Sequence, residues 1–82
     1  MAEQKRIPVE VHPGMFPSER AVSFQAGGKE YTLLVDARDV ENETLRVSVV
    51  EEGDIEALID LPRDTFSSGP RIRVPKELLQ PV

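Results

Sequence analysis

His12 is the only histidine in the chain, and an unperturbed imidazole changes charge near neutral pH. General acid–base or nucleophilic work needs that ring held by a partner. His12 stands between Val11 and Pro13 in a stretch that reads as a loop, with no evident partner, so it reads as a surface histidine. Asp36, Asp39, Glu41 and Glu43 are the densest carboxylates. A hard cation such as calcium takes several oxygens from a loop shaped around it. These four match no calcium-loop spacing and lack the glycine of its sharp turn, so they read as a solvated connection. Ser67 and Ser68 precede Gly69 without the strand and helix of a nucleophile elbow. Gly27-Gly28 has no Lys-Ser/Thr ending and runs into a strand, so it reads as a turn and not a phosphate loop. With no cysteine there is no disulfide, thiolate metal site or thiol nucleophile. No catalytic, cofactor-binding or metal-binding set is expected, and a metal or enzymatic role for residues 36–43 is the weakest reading.

Charge narrows the partners. The formal net charge is -5, concentrated between residues 31 and 62, where Arg38 and Arg46 are the only bases. That acidic middle works against a phosphate backbone or an anionic membrane, since both demand Lys and Arg. Arg71 and Arg73 alternate, so on a strand they share a face. With Arg63 and Lys76 they form a candidate charged patch, suited to an acidic partner, to the acidic middle of a second copy or, as the alternative, to nucleic acid. No apolar run approaches the length that spans a bilayer, and the polar start MAEQKR is not followed by a signal segment. A cytoplasmic setting without membrane contact is expected.

The elements that would carry these residues are strands. Apolar residues are 39% of the 82 residues, enough for one packed core and one domain over residues 1–82, with residues 1–6 left open between order and disorder. Ile7, Val9 and Val11 alternate with polar positions in a first strand that Pro8 places at an edge. His12-Pro13-Gly14 breaks it. Residues 20–25 form a second strand, with Val22 and Phe24 inward. Gly27-Gly28 supplies the positive φ angles of a tight hairpin before Tyr31, Leu33, Val35 and Ala37. Residues 38–43 are turn-like with Asn42 at the tip, and Leu45, Val47 and Val49 mark a fourth strand. After the turn at Glu52-Gly53-Asp54, residues 55–61 read either as a strand burying Ile55, Ala57, Ile59 and Leu61 or as a helix capped by Asp54. The strand is favoured, because Pro62 leaves a helix barely two turns.

Residues 59–66 and 72–79 share one pattern, apolar-charged-apolar-Pro-basic-acidic-any-apolar. Each copy predicts a strand ending in Pro, then a short helical turn whose last apolar residue, Phe66 or Leu79, lids the core. The ending Ile72-Arg73-Val74-Pro75-Lys76-Glu77-Leu78-Leu79-Gln80-Pro81-Val82 resembles the close of a Src-homology-three-like barrel. That resemblance implies a fold only. The chain lacks the Ala-Leu-Tyr-Asp-Tyr-type opening and the Trp of the peptide groove, so proline-rich ligands are not implied. The expected fold is all-β: a small five- to six-stranded curled antiparallel sheet or barrel, with helical turns after Pro62 and Pro75.

Leu34, Val50 and Leu58 break the alternation, projecting opposite their strands' core residues. On adjacent strands they would form one aliphatic patch, and contiguous apolar surface often marks an interface. The competing expectation is cover by the segment holding Met15 and Phe16. The functional expectation is a non-catalytic protein-interaction or assembly module, self-associating as a homodimer or binding another protein through this patch. A nucleic-acid-binding small barrel is the alternative.

Overall fold

Period-two alternation becomes strand almost throughout the computed structural model, which describes residues 3–66 and 69–82. Eight strands are present among the described residues: β1 Glu3–Pro8, β2 Glu10–Pro13, β3 Glu19–Ala26, β4 Lys29–Asp36, β5 Val40–Glu41, β6 Thr44–Glu52, β7 Glu56–Asp60 and β8 Arg71–Pro75. They form two antiparallel sheets and not the single curled sheet or barrel expected. One runs β1-β6-β7-β8 with β5 also on β6, the other β2-β3-β4. The expected first strand is two strands. The chain leaves β1 at Pro8 and enters the second sheet at Glu10, while the Val9 N–H donates to the Glu43 carbonyl at 3.0 Å. Pro8 pairs with Thr44 on one side only, which suits a residue with no N–H to give.

The hairpin of β3 and β4 is in register from Ala26–Lys29 to Glu19–Asp36. Gly27 and Gly28 have φ of 60° and 76°, the two left-handed residues of a type I′ turn. Phe24 and Tyr31 face each other across it with ring centroids 5.4 Å apart. A second turn of this hand joins β5 to β6 through Asn42 and Glu43, at φ 52° and 59°.

The inward residues of both sheets meet in one aliphatic core, in which Ile7, Val22, Leu33, Leu45, Ile59 and Val74 are wholly buried. Each such side chain contributes about 1.5–3 kcal/mol by leaving water. Residues 56–60 are strand, and Ala57, Ile59 and Leu61 are buried as expected. Ile55 is not: it is 79% exposed, because β7 begins after it and the Gly53 N–H to Glu56 carbonyl bond, 2.8 Å, closes the turn there.

A three-residue 3-10 turn, Lys76–Leu78, follows Pro75, and Leu78 and Leu79 pack on the core. Gln80 then returns to β1, exchanging hydrogen bonds of 2.9 and 2.7 Å with Arg6. After Pro62 the described chain bends without forming a helical turn. There the buried residue is Thr65, while Phe66 is 71% exposed and lids nothing. The Phe66 N–H bonds the Thr32 carbonyl on the open edge of β4 at 2.9 Å. Ser67 and Ser68 lie outside the described residues.

Candidate interaction surface

The connection from β2 to β3, residues 14–18, is short and held by several hydrogen bonds. The Gly14 N–H donates to the Glu19 carbonyl (3.1 Å), and the Glu19 N–H returns to the Phe16 carbonyl (2.9 Å). The Met15 N–H donates to Glu19 Oε1 at 2.9 Å. One Arg20 guanidinium nitrogen donates to the carbonyls of Pro17 (2.8 Å) and Glu19 (2.9 Å). From outside, the Ala37 N–H donates to the Ser18 carbonyl at 2.8 Å. At Gly14 any side chain is excluded, since a Cβ would stand 2.7 Å from the carbonyl carbon and oxygen of Glu19.

The fixed loop points its two largest apolar side chains at water. Met15 is 80% and Phe16 is 64% exposed. They do not cover the other apolar residues, contrary to the second expectation above. On one side of the loop is an open groove of about 470 Å³ lined by Val11, His12, Pro13, Pro17 and Arg20. On the other, Phe16 overhangs a hollow of about 80 Å³ with Val35, Asp36 and Arg63. Backbone hydrogen bonding lowers the conformational entropy a loop would lose on docking, and aromatic side chains carry much of the energy at interfaces.

Leu34, Val50 and Leu58 are divided between the sheets. Leu34 is on β4, paired with Ala21, and half-buried. Val50 is the extra residue of a bulge between Val49 and Glu51, with Leu58 opposite Glu51 on β7. Val50 is exposed and Leu58 half-buried.

The candidate basic residues are largely committed. Arg71 makes a two-pronged pair with Asp60, at 2.8 and 3.1 Å, and Lys76 Nζ lies 3.2 Å from Glu52. Arg73 follows on the same outer face, opposite Leu58. Arg63 sits by Phe16 and Asp36 instead.

The acidic connection does not converge on a point. Asp36 accepts from the Arg38 backbone and guanidinium, and Glu41 pairs with Arg6 at 3.3 Å. Among the described residues no group of three or more His, Asp or Glu is placed to hold a metal ion. His12 has a partner the sequence reading missed: its Nε2 is 3.3 Å from Glu10 Oε1. Alternate residues of β2 share a face, which was hidden once His12 was read as loop. Both groups are at the surface, and Ser23 stands opposite Glu10 on β3. No helix among the described residues is long and apolar enough to cross a membrane. No family model, curated protein or solved structure matches the chain.

Proposed function

We propose that the protein is a non-catalytic protein-interaction module whose contact element is the loop of residues 14–18. The observation carrying this is the exposure of Met15 and Phe16 on a loop whose backbone is held by several hydrogen bonds. A small domain has little stability to spare, and these apolar residues add nothing to its core. The Src-homology-three-like resemblance enters as part of the proposal, as a kinship of shape. Its support is the passage from Pro75 through the 3-10 turn to the Gln80 pairing with Arg6.

The test compares immobilised wild type with folded Met15→Ser/Phe16→Ser and Leu58→Lys variants, using extract from the protein's own cells and light scattering for self-association. A species retained by wild type and Leu58→Lys but lost by the loop variant supports the reading. Loss with Leu58→Lys alone moves the contact to the outer face of the larger sheet.

A further inference from the structure

The groove beside the loop lies on an open sheet edge. The Thr32 carbonyl points out of β4 to Phe66, and the Ala37 N–H points inward to Ser18. Hydrogen-bonded positions alternate along antiparallel strands. Through the registers of β4 on β3 and β3 on β2, Glu10 and His12 therefore bond to β3. The N–H and C=O of Val11 and the C=O of Pro13 are turned away from β3, on the free edge of β2, and both residues also line the groove. Pro13 has no N–H, so Val11 supplies the edge's donor, and one donor–acceptor pair fixes one register for an added strand.

The groove is apolar apart from His12 and Arg20. His12 is paired with Glu10, and the Glu19 carboxylate is taken by the Met15 N–H. Arg20 meets two backbone carbonyls but no carboxylate among the described residues. A half-buried guanidinium that meets no carboxylate among the described residues, at the wall of an apolar groove, is complementary to a ligand bringing apolar bulk and a carboxylate together.

We infer that the partner is an extended segment of another protein, seated as an added strand on β2. It would exchange main-chain hydrogen bonds with Val11, place an apolar side chain between Pro13 and Pro17, and direct a carboxylate to Arg20. Strand addition takes affinity from the main chain and specificity from alternate side chains. The assignment rests on the interaction reading above and adds the chemistry of the partner.

The experiment titrates the ¹⁵N-labelled full chain with two blocked hexapeptides, one alternating valine with glutamate, the other valine with glutamine. The expected result is binding of the glutamate peptide at about 0.1 mM or tighter, with shifts at the Val11 amide and the Arg20 side chain. The glutamine peptide should bind at least about tenfold more weakly. Val11→Pro, which deletes the outward N–H together with a side chain packed on the core, and Arg20→Gln should each cost about tenfold; the comparison of the two peptides on the unaltered chain stands even if either variant loosens the fold. Equal binding of both peptides, no binding of either, or shifts that spare Val11 would overturn the inference. Shifts confined to Met15 and Phe16 would overturn it while leaving the contact loop standing.

Discussion

Asp60 and Arg71 meet across β7 and β8 at the surface, and the guanidinium bonds hold the Asp60 carboxyl below its ordinary 3.8. Asp36 is lowered too, chiefly by the Arg38 backbone N–H and then by its guanidinium. A carboxyl whose folded pKa is depressed adds stability that is complete above its unfolded pKa and is lost as pH falls through the folded value. Both contributions should therefore be present at neutral pH and disappear in acid below 3.8. A carbon-detected NMR titration checks this: Asp60 should titrate below 3.8 in wild type and return toward it in Arg71→Gln. An unchanged midpoint in the variant would remove the pair as the cause. At Gly14, substitution by Ala should cost about 1–3 kcal/mol in urea unfolding, the range for forcing atoms into filled space. At this scale the sequence showed residue types but not partners. His12 was legible as a lone imidazole, while Glu10 beside it needed β2 to be recognised as strand. Arg63, Arg71, Arg73 and Lys76 were legible as bases, while the carboxylates that engage Arg71 and Lys76 come from β7 and the end of β6.

The two left-handed turns differ in what they ask of their residues. Gly28 has open space where a Cβ would go, so Gly28→Ala should cost about 1–2 kcal/mol through backbone conformation alone. Glu43 stands in the same region with a side chain, at φ 59°. Glu43→Gly should raise stability by up to about 1 kcal/mol, the relieved strain outweighing the looser unfolded chain; a loss in urea unfolding would contradict this. The β3–β4 hairpin was legible because alternation and paired glycines agreed on one register, except at its end: Ala37, read as the last inward strand residue, opens a 3-10 turn over Ala37–Asp39 whose start is capped by the Asp36 side chain. The division into two sheets was not. Ile7, Val9 and Val11 alternate without a break, and only the turn of the chain at Pro8 sends Val11 to a different sheet. Phe66 and Leu79 close the two copies of one eight-residue pattern, yet one is exposed and the other packs on the core. Whether an apolar residue is a lid depends on what lies beneath it, which local pattern does not carry.

The whole molecule separates stability from contact. The core carries the first: Ile59, wholly buried, should lose about 2–5 kcal/mol on truncation to Ala, a large share of the total for so small a domain. The loop of residues 14–18 is the element proposed to carry the second, and Phe16→Ser should leave stability within about 0.5 kcal/mol of wild type. At this scale the all-β class was legible, because period-two alternation ran through most of the chain. The exposure of Met15 and Phe16, on which the proposed contact loop rests, was not legible, since both looked like cover for Leu34, Val50 and Leu58. The most direct measurement places a photo-crosslinking residue at position 16 or position 55 of the full chain inside its own cells. Phe16 and Ile55 are both large, apolar and exposed, at 64% and 79%. A discrete adduct from position 16 with none from position 55 is the predicted result. No adduct from position 16, or the same adducts from both, would contradict the account.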